Sequence, residues 1–190
     1  KSTMTDTQWP RYEVFKQDNP KKPHEAVGSV HAPDAELALQ NARDVFVRRP
    51  SAISLWVVKA DTIFTMTREE LEANPDFCLK VSKADDTPTT FHIFTKTNQR
   101  RSMTFVQHVG QVEATSAQAA LHHAIQSGQF DNHTVWVWWV VPENQIIRSG
   151  EDDIDSLFAP AVDKTYRQQS HYGFASPRRQ KYGREKLDAD

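Results

Sequence analysis

Along the 190-residue chain the apolar positions change period in a set order, and that order occurs twice. Tyr12-Glu13-Val14-Phe15 alternates large and β-branched residues, the pattern of a short strand. Asn19-Pro20 and Lys22-Pro23 follow as a turn, because proline fixes φ and cannot donate to a ladder. His24 to His31 reads as a second strand, with Gly28 inside it as a bulge or a point of close approach. After Asp34, an N-cap type, Ala35, Ala38, Leu39 and Ala42 recur at the spacing of one helix face. Pro50 is expected to end that helix, and Ile53 to Val58 forms a third strand. The order then returns. Phe91 to Phe94 is a strand, Ser116 an N-cap, and Ala117, Ala120, Leu121 and Ala124 a helix face. Gly128 ends that helix, and Val135 to Val141 is again a strand.

The two passages align residue by residue. Val27-Gly28-Ser29-Val30-His31-Ala32 falls on Val109-Gly110-Gln111-Val112-Glu113-Ala114, a shift of 82 that also carries Trp56 onto Trp138 and Val58 onto Val140. Tyr12–Phe15 falls on Phe91–Phe94 at a shift of 79, so the loop after the first strand is three residues longer in the second copy. Such self-similarity marks a duplicated ββαβ unit. The third strand is apolar on both faces, which belongs to a sheet covered on both sides. One helix per unit covers one side, and the other copy is the economical cover for the second. The expected fold is α+β: two tandem ββαβ units forming a pseudo-twofold dimer within one chain, sheet to sheet or edge to edge, with an extended C-terminal tail. The units span residues 9–66 and 91–149. Residues 67–90 form a linker with a short helix near Thr67–Ala73. The tail, 150–190, is acidic at Asp152, Asp153 and Asp155 and basic from Lys164 onward. Leu157, Phe158, Tyr166, Tyr172, Phe174 and Tyr182 are spaced through it, so it is expected to lie along a partner.

Composition removes several classes. With 23 Lys+Arg against 25 Asp+Glu the net charge is −2, which supplies no general pull on nucleic acid or anionic lipid. The longest apolar run has seven residues and stops at Pro142, where a membrane span needs about 20. One cysteine, Cys78, cannot close an intramolecular disulfide, which favours the cytoplasm. The chain carries no G-x-G-x-x-G, no Walker-type loop and no G-x-S-x-G elbow. Among eight histidines no H-x-x-x-H or E-x-x-H pair occurs; they read as solvated surface groups, with no metal site. The Trp136, Trp138 and Trp139 cluster reads as core or interface. Residue chemistry therefore points to a binding module with no catalytic residue. The basic, aromatic tail leaves a small-ligand or nucleic-acid-binding α+β module as the alternative.

Several separated blocks carry a resemblance. Trp9-Pro10-Arg11-Tyr12-Glu13-Val14-Phe15, Gly28-Ser29-Val30-His31-Ala32, Ala38-Leu39-Gln40-Asn41-Ala42-Arg43-Asp44, Arg48-Arg49 and Ser54–Ala60 resemble the PaaB family, the B subunits of phenylacetyl-CoA epoxidase (ring 1,2-epoxidase) complexes. The second copy, 91–147, is a weaker match and has His123-Ala124-Ile125-Gln126 in place of the Asn-Ala-Arg-Asp block. Phe158 to Arg167 resembles the family's C-terminal tail. Family members are single-copy homodimers, so this chain resembles a tandem fusion. The resemblance implies a non-catalytic structural subunit of a multicomponent di-iron monooxygenase in aerobic phenylacetate breakdown, with no cofactor of its own. The di-iron centre is expected on a partner catalytic subunit, which pairs with a structural homologue. Flavin and iron–sulfur groups are expected on a reductase, itself a further contact. No nucleic acid or membrane partner is implied. The residues expected at the partner interface are Trp9, Arg48, Arg49, Phe158, Tyr166 and Arg167.

Overall fold

The computed structural model describes residues 9–47, 52–74, 77, 87–98, 105–128, 130, 135–150, 154–159 and 161. The first half contributes β1 (Arg11–Gln17), β2 (Glu25–His31), helix α1 (Ala35–Phe46), β3 (Ser54–Lys59), a 3₁₀ turn (Ala60–Thr62), β4 (Phe64–Thr67) and α2 (Arg68–Ala73). The second contributes β5 (Thr89–Lys96), β6 (Gln107–Ala114), α3 (Ala117–Gln126), β7 (Val137–Pro142), a 3₁₀ turn (Glu143–Gln145), β8 (Ile146–Arg148) and α4 (Ile154–Phe158). The fold is α+β, built on one eight-stranded antiparallel sheet.

The helices begin where the caps require. Asp34 Oδ1 accepts the Leu37 N–H at 2.8 Å, and Ser116 Oγ accepts the Ala119 N–H at 3.1 Å. Helix α3 ends at Ser127, followed by Gly128 at φ +61°. Helix α1 ends earlier than Pro50 implied, at Phe46 with Val47 as its C-cap. Thr67 caps α2 in a reciprocal capping box with Glu70. Both glycines of the repeated strand sit beside a β-bulge. At Gly28, φ is +146° and a Cβ would lie 2.8 Å from Phe46 Cζ; at Gly110 it would lie 3.0 Å from Phe130. Close approach of an aromatic ring explains why neither position carries a side chain.

The sheet order is β4-β7-β5-β6-β2-β1-β3-β8. It reads the same from either end once each strand is numbered within its own half. Each half keeps its first three strands together and gives its fourth to the other: β4 pairs with β7, and β8 with β3. The expected ββαβ unit is therefore corrected. A fourth strand follows the 3₁₀ turn, and its ladder partner lies in the sibling segment. Short length hides these strands in the sequence, since β8 has three residues and β4 four.

The sheet folds over at its middle. β2 and β6 share the single pair Glu25↔Gln107, flanked by Ala26 N–H to Val106 O and His108 N–H to His24 O, both 2.9 Å. In a flat sheet β1 and β5, three strands apart, would be separated by roughly 14 Å. Instead the Phe15 and Phe94 rings meet at 4.3 Å between centroids. Three buried layers result. α1 covers Tyr12, Val14, Leu55 and Val57 on one outer face, and α3 covers Phe91, Ile93, Trp138 and Val140 on the other. Between the halves Phe15, Trp56, Val58, Phe94, Trp139, Val141 and Ile146 share an inner core.

That layering corrects the alignment of the third strands. Trp56 faces the inner core beside Phe15, and the residue in the corresponding place is Trp139, paired with Phe94. Trp138 faces α3. The shift is 83 here and not 82, so one extra residue lies between α3 and β7. A one-residue slip turns every side chain of a strand to the opposite face. Because β7 is apolar on both faces, the pattern alone could not expose the slip.

The segment opening the tail also lies differently from expectation. Leu157, Phe158 and Ala161 pack into the α1 core, with Phe158 only 6% exposed. Phe158 is thus corrected from an exposed anchor to a core residue of the first half. In the second half, Leu71 of α2 and Phe77 pack against the α3 core. So the stretch after each exchanged strand continues onto the sibling's outer layer.

Candidate functional site

Two strands of the inner layer place a titratable side chain at the same position: Glu13 on β1 and His92 on β5. Both are buried, each two residues before the inner-core phenylalanine of its strand, Phe15 or Phe94. Glu13 accepts from Arg11 at 3.1 Å, and burial holds its carboxyl above the usual range despite that cation. Around His92 a larger cluster assembles.

His92 has no exposed side-chain surface. Its Nε2 contacts the Glu143 carboxylate on the 3₁₀ turn, and its Nδ1 lies 2.9 Å from His108 Nε2 on β6. A carboxylate only accepts, so the hydrogen of the first contact sits on His92 Nε2. In a neutral ring Nδ1 is then the acceptor, and His108 Nε2–H must donate to it. Glu143 is also held by Arg148 of β8 through a two-pronged pair at 2.8 and 2.9 Å. The Arg148 guanidinium lies 4.8 Å from the centre of the Trp56 ring, and His24 stacks on the same indole at 3.7 Å. His24 Nε2 bonds Ser54 Oγ at 2.9 Å. Trp56 meets His92 and His108 edge-on, each at 5.4 Å.

Burial sets the electrostatics. It pushes His24 down to about 4, with the positive potential of His108, Arg148 and His92 adding to the effect. His108 is likewise pushed down to about 4, by burial first and then by His92. Burial also lowers His92, against the pull of Glu143. Glu143 loses some solvation too, yet the hydrogen bonds from His92 and Arg148 outweigh that and hold it below its ordinary value. At neutral pH the site therefore contains three neutral imidazoles, one carboxylate and one guanidinium. His92 and His108 are joined by a hydrogen bond, while His24 bonds Ser54 and meets the cluster through the Trp56 ring. Among the described residues no group of three or more His, Cys, Asp or Glu is placed to hold a metal ion.

Sequence reasoning missed this cluster, assigning the histidines to the solvated surface; His24 and His92 are buried and His108 is half-buried. The available signal was the shared inner position of Glu13 and His92. Of the residues expected at a partner interface, Trp9 stands 48% exposed just before β1, its carbonyl oxygen 3.2 Å from His31 Nδ1. Phe158 is inside. Arg48, Arg49, Tyr166 and Arg167 lie outside the described residues, as does Cys78. No helix among the described residues is long and apolar enough to cross a membrane.

Comparison with known proteins agrees with the internal repeat. The family model described as Phenylacetic acid degradation B (PaaB) matches residues 8–82 and again residues 87–179. The B subunit of 1,2-phenylacetyl-CoA epoxidase from Escherichia coli (strain K12) is 46% identical over 67 residues, covering 35% of this chain and 70% of that protein. No solved structure matches the chain. With two successive matches covering most of its length, the chain belongs to the PaaB family and carries two copies of the family's unit in tandem.

Proposed function

We infer that this chain is a non-catalytic bridging subunit of a phenylacetyl-CoA epoxidase, acting in the cytoplasm in phenylacetate degradation. Its two halves form a pseudo-twofold dimer within one polypeptide, standing where two separate copies would otherwise associate. The observation that carries this reading is the reciprocal exchange of β4 and β8 around an inner core shared by both halves. Two family units built into one body suit a scaffold that meets other subunits on two sides. The name of the similar Escherichia coli protein, which describes part of an epoxidase, supports the class of complex. In this reading a di-iron catalytic subunit and its structural homologue are the partners, and a flavin and iron–sulfur reductase supplies electrons. This chain contributes surface and rigidity, and the reacting groups lie on the partner.

Co-expression with the catalytic pair of a phenylacetyl-CoA epoxidase tests the proposal. The chain should co-elute with that pair in size-exclusion chromatography, and a version ending at residue 161 should bind more weakly while remaining folded. A monodisperse free chain with no affinity for the pair would overturn it. So would salt-dependent oligonucleotide binding through residues 162–190, which favours the alternative module.

A further inference from the structure

The histidine cluster lies where one exchanged strand is fastened. Arg148, the last residue of β8, is paired with Trp56 in the β3 ladder and reaches Glu143, and through it His92 and His108 of the second half. His24 and Trp56 come from the first half, so the cluster ties the two halves together at the β8 end of the sheet. We propose that the His24–His92–His108 cluster is an acid-sensitive latch that holds β8, and with it α4, on the first half.

The three rings can hold few added protons. His92 Nδ1 and His108 Nε2 are 2.9 Å apart, and only one hydrogen fits between them. One added proton can enter on the far nitrogen of His108, which keeps the contact but places a positive ring among His24, His92 and Arg148. A second, on His92, puts two N–H groups face to face and breaks the contact. Among the described residues Glu143 is the single carboxylate facing these groups, and Arg148 already occupies both its oxygens. Charging His24 sets a second cation on the indole that Arg148 covers. From the remaining packed elements, Gln111 of β6 and Ser54 of β3 face the rings as neutral groups. Burial therefore opposes charge at every ring and Arg148 adds to it at all three. Glu143 favours charge on His92 and His108, and a backbone hydrogen bond at Gly110 favours it on His108.

The other exchange provides an internal control. By the register of the two halves, His92, His108, Glu143 and Arg148 correspond to Glu13, Ala26, Ala60 and Thr65. β4 is thus fastened without histidine, and Glu13 becomes neutral on taking a proton. Acid should loosen β8 and leave β4 in place.

Hydrogen exchange with mass spectrometry on the full chain at about pH 7.5 and about pH 5, corrected for intrinsic rates, tests this. Peptides covering β8 should lose protection at least about tenfold more than those covering β4 on acidification. In His108→Gln that excess should shrink. In Glu143→Gln, at a half-exposed position, β8 should already be less protected at neutral pH. Equal acid responses of β8 and β4, or an unchanged β8 response in both variants, would overturn the proposal.

Discussion

Phe15 and Phe94 occupy the same place in their respective halves and meet each other at 4.3 Å, with the Trp139 ring edge-on to Phe15 at 6.2 Å. Both are fully buried, so this contact joins the two halves directly. Phe94→Ala should cost about 3–5 kcal/mol, the range for a buried phenylalanine whose cavity cannot collapse. Because the rings share one site, Phe15→Ala combined with Phe94→Ala should cost less than the sum of the two. Urea denaturation of the three variants, read by tryptophan fluorescence, measures both statements.

The two glycines should respond unequally. A methyl group at Gly28 meets Phe46 at 2.8 Å on a backbone with φ +146°, whereas at Gly110 it meets Phe130 at 3.0 Å without a positive φ. Gly28→Ala therefore combines crowding with backbone strain and should destabilise by about 1–3 kcal/mol, with Gly110→Ala costing less. Equal denaturation midpoints for the two variants would contradict this ranking.

His24 predicts a pH dependence of folding. Its ring has an ordinary value of 6.5 and is held at about 4 in the fold, so between those values the unfolded chain binds more protons. The associated stability is complete above pH 6.5 and is lost as pH falls toward 4. Its size is at most about 3 kcal/mol, from the linkage of each pKa unit to 1.36 kcal/mol. His24→Gln should flatten this part of the curve of stability against pH.

Truncation should separate the tail's two parts. A chain ending at Gly150 loses Leu157, Phe158 and Ala161 from the α1 core, and should fall by about 3–5 kcal/mol or more. A chain ending at residue 161 keeps the described core and should melt close to the full-length protein. Thermal unfolding followed by circular dichroism distinguishes the two.

Much of this architecture was legible in the sequence, for physical reasons. Asp34 and Ser116 marked both helix starts because a side-chain oxygen there satisfies a free N–H. Strands apolar on both faces called for two covers, and the structure supplies a helix outside and the sibling half inside. What failed were features that carry no period. β8 is too short to alternate, and the slip that puts Trp139 where Trp138 was expected leaves β7 apolar on both sides. The histidine cluster was invisible because His24, His92 and His108 belong to three separate segments. The β5–β6 ladder brings His92 to His108, and the junction at Glu25↔Gln107 brings His24 to both.

The strand exchange has a consequence for inheritance. Each half finishes its neighbour's sheet edge, so neither can drift, be shortened or be shed as an autonomous piece. A change in β4 is answered for by the second half, and one in β8 by the first, which binds the fates of two copies that gene duplication would otherwise leave free to part.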